Sequence, residues 1–261
     1  MSHHIVEVSD LRFAYPDGTQ ALRGVSFRIT HGESVAVVGA NGAGKSTLLL
    51  HLNGVLVPQA GDVRIGEVPL TRSTLPEVRR TVGMVFQDPD DQLFMPTVYE
   101  DVAFGPLNLG LPPDEVDRRV REALERVGGW ELRDRPPHRL SGGEKRAVAI
   151  ATVLAMGPDI LVMDEPSSNL DPRARRRLIH LLASFEHTKI IATHDLDLAL
   201  ELCERTIVIA GGQVLRDGPT REVFSDDEVL EQGGLERPPA LRPCPACGAV
   251  PARPVDTAPV P

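Results

Sequence analysis

Short apolar runs alternate with amphipathic stretches along most of the 261 residues of this chain. Compact runs rich in valine and isoleucine predict buried strands, and they cover residues 34–38, 82–86, 159–163, 189–193 and 206–210. Apolar positions at helical spacing predict helices over residues 114–127, 142–156, 172–185 and 196–203, with another that begins near Leu48. Buried strands that alternate with helices favour a mostly parallel sheet covered on both faces. The pattern therefore predicts an α/β fold.

Both ends of the chain depart from this alternation. Residues 5–30 predict short strands broken by a turn at 15–18, and residues 21–29 alternate as a half-exposed antiparallel strand does. Residues 61–66 predict a small hairpin. From about Glu236 the chain is rich in proline and loses its apolar periodicity, which predicts a disordered or loosely attached tail over residues 236–261.

Composition restricts the possible functions. The formal net charge of −9 disfavours a general affinity for nucleic-acid backbones, so we expect no nucleic-acid partner. No apolar run approaches the roughly 18–20 residues that a membrane-spanning helix needs, and the first residues lack the pattern of a secretion signal. We therefore expect that any work at a membrane passes through partner subunits.

The chain has three cysteines. Cys203 lies in an apolar helical pattern, which predicts an inert core thiol. Cys244 and Cys247 form a C-x-x-C pair, but a zinc site needs about four ligands. Reduced thiols are therefore the expectation, and a zinc site completed by another chain stays open. A run of arginines at 173 and 175–177 predicts a solvated basic face of a helix.

A glycine-rich stretch directly after the strand at 34–38 matches the pattern G-x-x-x-x-G-K-[ST]. Its glycines let the backbone curl so that successive N–H groups point into one concavity, and the following helix start adds partial positive charge. This geometry fits a nucleotide polyphosphate, with Lys45 reaching the β and γ oxygens and Ser46 holding Mg²⁺. The predicted phosphate-binding residues are Gly39, Ala40, Asn41, Gly42, Ala43, Gly44, Lys45, Ser46 and Thr47.

Two adjacent carboxylates close the apolar strand at 160–164. Neighbouring side chains of an extended chain point in opposite directions, so Asp164 can reach Mg²⁺ through its water shell while Glu165 polarises an attacking water. A strand that simply ends in acidic residues is the alternative.

A second candidate anion site opens the helix at 142–156 with the sequence Leu-Ser-Gly-Gly-Glu-Lys-Arg. Ser141 and the two glycines form a helix start that can bind an anion, although an ordinary N-cap has the same pattern. One chain has no evident use for two phosphate-binding helix starts. Two chains facing head to tail do, if each start meets the phosphate loop of the other chain across a shared nucleotide.

In combination, these motifs resemble those of the ATP-binding subunits of ABC transporters, over residues 3 to about 235. Residues 39–47 resemble the Walker A motif, 160–164 the Walker B strand, 168–171 the D-loop and 140–146 the signature, with Glu144 in place of the usual glutamine. The resemblance implies a P-loop NTPase fold of the ABC type. It has a mixed central sheet, an antiparallel β subdomain and an α-helical signature subdomain at about 88–157.

The resemblance also implies a role for individual residues. Glu165 is the catalytic glutamate, Gln87 the Q-loop glutamine that contacts Mg²⁺ or water, and His194 the switch histidine at the γ-phosphate. Tyr15 stands where the family places an aromatic ring against adenine. The implied ligands are ATP and Mg²⁺, the metal being held by Ser46, Gln87 and Asp164. The signature residues implied to contact a second subunit's nucleotide are Ser141, Gly142, Gly143 and Glu144.

A narrower resemblance lies in residues 87–94 and 98–106, which are similar to the ATPase subunits of energy-coupling factor importers, especially the cobalt/nickel branch. It implies that a short helix near Asp91 and Gln92 docks a coupling helix of a transmembrane subunit. It also implies a peripheral position at the cytoplasmic face of the cell membrane and a separate substrate-binding membrane subunit. For the acidic residues 88–91, a solvated turn is the alternative.

Several alternatives stay open at the level of sequence. The partner ATPase can be a second copy or a different ABC ATPase, and the cargo can be cobalt, nickel or a vitamin. A soluble ABC-type ATPase that acts on nucleic acid or ribosomes is a rival, but the long coiled-coil insertion and second ATPase domain typical of that class are missing. A regulatory module without turnover is disfavoured by the intact Glu165 and His194.

Overall fold

The computed structural model describes residues 6–242. The strands are β1 Val6–Ala14, β2 Gln20–Ile29, β3 Ser34–Val38, β4 Ala60–Ile65, β5 Val68–Pro69, β6 Val82–Val85, β7 Ile160–Asp164, β8 Thr188–Ala192, β9 Arg205–Ala210 and β10 Gln213–Pro219. The α-helices are α1 Lys45–Leu52, α2 Leu75–Thr81, α3 Val98–Asn108, α4 Pro113–Arg126, α5 Gly142–Leu154, α6 Pro172–Ala183, α7 Leu196–Leu202, α8 Thr220–Val223 and α9 Asp227–Gln232.

A six-stranded sheet forms the centre of the fold, in the order β10-β9-β3-β8-β7-β6. All its pairings are parallel except the β9–β10 hairpin. Side chains along β7 alternate between two cores: Leu161 and Met163 face one core, and Ile160 and Val162 face the other. The sheet is therefore buried on both faces, which confirms the predicted α/β class with a mixed central sheet.

Different elements cover the two faces. Apolar residues of α5, α6 and α7 pack in one core, while the other core contains α1 and the four-stranded antiparallel sheet β2-β1-β4-β5. The predicted turn at 15–18 is present, since Gly18 N–H donates to Tyr15 O at 2.9 Å. The hairpin expected at 61–66 is longer than predicted: residues 61–65 all lie in β4, which turns after Ile65 to pair with β5 and also pairs with β1.

Helices α3, α4 and α5 pack against one another and form the helical part of the fold. Val120 and Leu124 of α4 are fully buried, as its amphipathic pattern predicts. They belong to the same core as Leu161 and Met163 of the central sheet. The helical part is therefore joined to the sheet through a shared apolar core.

The hydrophobic pattern does not predict several elements of the structure. Helix α3 begins at a capping box in which Thr97 and Glu100 satisfy each other's backbone N–H groups, but Pro106 inside the helix obscures its periodicity. The β9–β10 hairpin turns at Gly211 and Gly212, whose φ angles are 53° and 77°. Helices α2, α8 and α9 are too short to show a clear period.

The first part of the proline-rich tail differs from the expectation of a loose segment. Leu241 is buried, and the Ala240 N–H donates to Asp197 of α7 at 3.3 Å. Residues 236–242 therefore pack on the domain, anchored by Leu241. Cys244, Cys247 and the rest of the tail lie outside the described residues, so the expectations about them stay predictions. Within residues 6–242, no helix combines the length and the hydropathy that crossing a bilayer requires.

A substitution in α4 tests the shared core. We expect Leu124→Ala to lower the free energy of unfolding by about 2–5 kcal/mol, since it removes a fully buried side chain and leaves a cavity. Leu107→Ala is the matched control, because Leu107 is 57% exposed, and its effect should stay within about 0.5 kcal/mol. Urea unfolding followed by circular dichroism measures both, and equal effects would contradict the shared core.

Candidate nucleotide-binding site

The glycine-rich loop between β3 and α1 has a backbone that only glycine accommodates at two positions. A Cβ atom at Gly39 would lie 2.1 Å from Ile209 O, and one at Gly44 would lie 2.6 Å from Ala21 O. Both residues also have positive φ angles, 153° and 108°. The loop is therefore pressed against β9 and the start of β2, and its curvature is imposed by the fold.

Lys45 curls back over this loop. Its Nζ donates to Gly39 O at 2.8 Å and to Ala40 O at 3.1 Å, and the side chain is buried. Burial lowers the pKa of Lys45, whereas the nearby carboxylates of Glu165 and Asp164 oppose that shift. The ammonium group thus stabilises the loop through these two hydrogen bonds, and it lies near the two carboxylates at the end of β7. An anion entering the loop would find a cation already in place.

Asp164 lies at the carboxyl end of β7 and is 5% exposed. Burial raises its pKa, and a hydrogen bond from Ser46 and the charge of Lys45 act in the opposite direction. Its Oδ1 atom is buried and has no hydrogen-bond partner among the described residues. A buried carboxylate oxygen without a partner beside a serine hydroxyl is an oxygen donor set that suits hydrated Mg²⁺.

Glu165 follows with a φ of 46°, an uncommon value for a residue with a side chain. Its backbone N–H donates to Ala192 O at 2.9 Å, which fixes the turn. The carboxylate is 8% exposed and approaches Nδ1 of His194 at 2.8 Å, and it also accepts from the His194 N–H at 3.2 Å. Strained backbone of this kind concentrates at functional sites. The structure thus brings Glu165, the predicted catalytic glutamate, into contact with His194, the predicted switch histidine.

Gln87 follows β6 and is held by its backbone. The buried guanidinium of Arg146 in α5 donates to Phe86 O at 2.8 Å and to Gln87 O at 2.5 Å. Nearby, Lys145 pairs with Asp90 at 2.5 Å, and Gln92 donates to Ala149 O at 2.7 Å. The segment at 86–92 is thus attached to helix α5 along its length.

Ser141 is the N-cap of α5 and forms a capping box with Glu144. The Ser141 hydroxyl donates to Glu144 Oε2 at 2.7 Å, and the Ser141 N–H donates to the same oxygen at 2.8 Å. The backbone hydrogen bond from Ser141 is the main reason that the pKa of Glu144 lies below its ordinary value. The helix start predicted to bind a phosphate therefore carries its own carboxylate.

Tyr15 lies beside the glycine-rich loop. Its hydroxyl is 3.0 Å from Thr47 Oγ1, and its ring meets that of Phe13 edge to face with the centroids 5.1 Å apart. These contacts place an aromatic ring next to the start of α1, where a purine could stack on it. Its predicted role stays a prediction.

Two cavities are lined by predicted site residues, and Gln87 lines both of them. One, of about 690 Å³, is lined by Gly39, Ala40, Asn41, Gln87, Glu165 and His194 together with residues 234–239 and Arg242. The other, of about 700 Å³, is lined by Gln87, Asp164 and Gly142 among other residues. The structure therefore gathers the loop, Glu165, His194 and Gln87, and it places the signature glycine on a different opening.

The C-terminal segment reaches the phosphate loop, which the sequence patterns did not indicate. The Ala40 N–H donates to Gly233 O at 3.1 Å, and a Cβ atom at Gly234 would lie 3.0 Å from the Cβ of Ala40. These contacts join residues far apart in sequence, so no local pattern signals them. A proline at position 40 would have excluded this hydrogen bond, because proline has no backbone N–H to donate.

The basic run in α6 corrects one sequence prediction. Arg175 is not part of a solvated face: it forms an ion pair with Asp195 at 2.7 Å and contacts Glu201 at 3.4 Å. Asp195 follows His194 directly and also caps α7. Arg173, Arg176 and Arg177 are exposed as expected. Cys203 is buried and free, and burial raises its pKa to about 12, in agreement with an inert thiol.

Comparison with known proteins identifies the family. The family model of the ABC transporter family matches residues 22–168. A protein of Geobacter sulfurreducens named as an ABC transporter ATP-binding protein is 71% identical over 248 residues, 95% of this chain and 100% of that protein. The energy-coupling factor transporter ATP-binding protein EcfA of Methanocaldococcus jannaschii is 50% identical over 90% of this chain and 86% of its own length. The chain belongs to the ABC transporter ATP-binding family, and it is an ATPase of that family.

Solved structures agree with this result. CbiO1 of Clostridium perfringens, described as part of the ABC transporter complex cbiONQ, has a TM-score of 0.77 and 42% identity, over 88% of this chain and 94% of that one. The bacterial cassette MJ0796, described as dimeric, has a TM-score of 0.75 and 29% identity, over 83% of this chain and 99% of that one. The predicted ABC-type ATPase fold is confirmed.

Replacing the lysine of the loop tests nucleotide binding. We expect Lys45→Ala to raise the Kd for Mg-ATP by about tenfold to a hundredfold, because it removes a charge-assisted hydrogen bond and unties the loop. Isothermal titration calorimetry measures the change. The control is Arg72→Ala, which removes an exposed cation elsewhere; an unchanged Kd in the Lys45 variant would contradict the assignment.

Proposed function

We propose that this chain is the ATP-hydrolysing subunit of an importer of the energy-coupling factor type, with cobalt or nickel as the cargo. Two such subunits close around two ATP molecules, and hydrolysis reopens them. The pair is a homodimer or a heterodimer with a second ABC ATPase. Similarity to EcfA and CbiO1 supports the importer class, and similarity to the dimeric cassette MJ0796 supports the pair.

The separate positions of the phosphate loop and the signature support the pairing of two subunits. The phosphate loop, Glu165 and His194 line one cavity, whereas Gly142 of the signature lines a second cavity together with Gln87 and Asp164. Ser141 and Gly142 are exposed, so the start of α5 is accessible to the nucleotide of a second subunit. Head-to-tail packing supplies each ATP with a loop from one copy and a helix start from the other.

In the proposed mechanism the protein acts through position and charge. The backbone N–H groups of the loop and Lys45 bind the phosphates, and the pre-formed contacts of Lys45 with Gly39 and Ala40 keep the cation in place before ATP arrives. Glu165, oriented by His194 at 2.8 Å, aligns the attacking water and accepts its proton. Tyr15 stacks on the adenine ring, with little selectivity among purines.

Asp164, Ser46 and Gln87 would hold Mg²⁺. The buried Oδ1 of Asp164, which has no hydrogen-bond partner in the described part of the chain, fits this role. When bound, the ion neutralises charge that develops on the phosphate oxygens.

An exposed aromatic pair supports a membrane partner. Phe94 and Phe104 are 62% and 42% exposed, and their rings meet edge to face with centroids 5.0 Å apart. Buried Asp101 accepts from the Phe94 and Met95 N–H groups at 3.0 Å, which fixes the loop that presents Phe94. Exposed Leu107 extends the patch on α3. Apolar surface of this kind beside the segment at 86–92 suits a coupling helix of a transmembrane subunit, which would hold the chain at the cytoplasmic face of the membrane.

Replacing the proposed catalytic carboxylate tests the ATPase mechanism. We expect Glu165→Gln to lower turnover by at least about a hundredfold while Mg-ATP still binds, because general-base assistance is lost and the loop is untouched. Phosphate release and calorimetry measure the two properties. Glu131→Gln, at an exposed position, should keep the parent rate. Steady-state hydrolysis at the parent rate by the Glu165 variant would refute the mechanism.

A docking variant tests the partner. From a detergent extract of cells that express the tagged chain, we expect a multi-span membrane subunit to co-purify with a small substrate-capturing membrane protein. Phe94→Asp should reduce that recovery by about thirtyfold, as for a central interface residue. The control is Val57→Asp, since Val57 is 40% exposed in the connection between α1 and β4. Recovery of RNA or ribosomal proteins in place of membrane proteins would favour the soluble rival.

A further inference from the structure

In the signature of this chain, the carboxylate of Glu144 can compete with a phosphate for the hydroxyl proton of Ser141. A hydroxyl group has one proton to donate, and the Ser141 hydroxyl directs it to Glu144 Oε2 at 2.7 Å. In this arrangement a phosphate oxygen that approaches Ser141 faces the lone pairs of the hydroxyl oxygen, because the hydroxyl proton points toward Glu144. The phosphate oxygen also meets the negative charge of the Glu144 carboxylate, whose pKa the hydrogen bonds from Ser141 hold below its ordinary value.

Glutamine at this position would behave differently. Its amide has an acceptor oxygen and a donor nitrogen. Both Ser141 donors reach one carboxylate oxygen, Oε2, and an amide oxygen in that place can accept the same two hydrogen bonds. A neutral amide holds the hydroxyl proton less strongly than a carboxylate does, so the proton turns more readily toward a phosphate, and the extra negative charge is gone. The capping box survives, since glutamate and glutamine both form it.

We propose that the carboxylate of Glu144 weakens the closed, ATP-bound pair of subunits. The proposal rests on the proposed function, in which Ser141 of one subunit faces the nucleotide of the other. Glu144 withholds the serine proton and repels the triphosphate, so that closure requires a higher concentration of Mg-ATP. Removing one such close, partly exposed charge is expected to strengthen closure by about tenfold.

A second capping box in the same chain provides a matched control. At the start of α3 the Thr97 hydroxyl donates to Glu100 Oε2 at 2.8 Å, and the Thr97 N–H donates to it at 3.0 Å. The geometry repeats that of Ser141 and Glu144, but the box lies outside the nucleotide site. Glu100→Gln therefore changes the same charge in the same local structure without touching the signature.

The test measures dimer formation in the Glu165→Gln background, where bound ATP persists. Sedimentation velocity gives the Mg-ATP concentration at which half of the chains are paired. We expect Glu144→Gln to lower that concentration about tenfold at about 50 mM NaCl, and by less at about 500 mM, where salt screens the repulsion. Glu100→Gln should leave it unchanged at both salt concentrations.

Glu144→Ala separates this role from a merely structural one. The variant loses the capping box, so we expect a lower Tm, as for the loss of a helix cap. It should nevertheless pair at lower Mg-ATP than the parent, because the charge is removed and the hydroxyl is released. If Glu144 only stabilised the helix, this variant would pair less readily.

Two results would overturn the proposal: equal pairing of Glu144→Gln and its parent, or a shift of the same size in Glu100→Gln. A different result bears on the proposed function itself. If neither the parent background nor any variant pairs at saturating Mg-ATP, while calorimetry still shows ATP binding, the two-subunit mechanism fails.

Discussion

The register of three parallel strands determines where the chemistry of this protein takes place. Ala192 of β8 pairs with Val37 of β3 on one side and with Asp164 of β7 on the other. Two further hydrogen bonds extend the ladder past the strand ends, from Thr193 N–H to Val37 O at 3.1 Å and from Glu165 N–H to Ala192 O at 2.9 Å. The phosphate loop, the carboxylate pair and His194 therefore leave the sheet at one edge. A slip by one residue would turn each of these side chains to the opposite face.

Electrostatics at this edge depends on the same register. Lys45, Asp164 and Glu165 are all buried, and buried charges are costly unless they are paired or hydrogen-bonded. Lys45 has two backbone carbonyls, and Glu165 has the N–H and ring of His194. Asp164 retains one oxygen that has no hydrogen-bond partner within residues 6–242. The fold thus pre-arranges one cation, one oriented carboxylate and one open oxygen, which suits phosphoryl transfer better than it suits stability.

Sequence reasoning succeeded where the signal is local. The five buried strands each occupy a short continuous stretch and all lie in the central sheet. The loop at 39–47 and the carboxylates at 164 and 165 directly follow or end two of these strands, which places them at one sheet edge, and their roles stay predictions. Helix α3 could have been predicted from its Thr97–Glu100 capping box, and the β9–β10 hairpin from two adjacent glycines.

Contacts between distant segments could not be predicted in this way. Only the folded topology brings together the residues of three such contacts. These are the hydrogen bond from Arg146 to Gln87 O, the ion pair between Arg175 and Asp195, and the hydrogen bond from Ala40 N–H to Gly233 O. The box between Ser141 and Glu144 is local, but its chemical consequence depends on a charge and a hydroxyl proton that spacing does not reveal.

The most direct test of the account is a crystal structure of the Glu165→Gln chain with Mg-ATP. We predict two copies facing head to tail, with each triphosphate on the amides of residues 39–47 of one copy and beside Ser141 of the other. ATP bound to separate copies whose signature helices face solvent would contradict the central claim, even with the nucleotide in the expected loop.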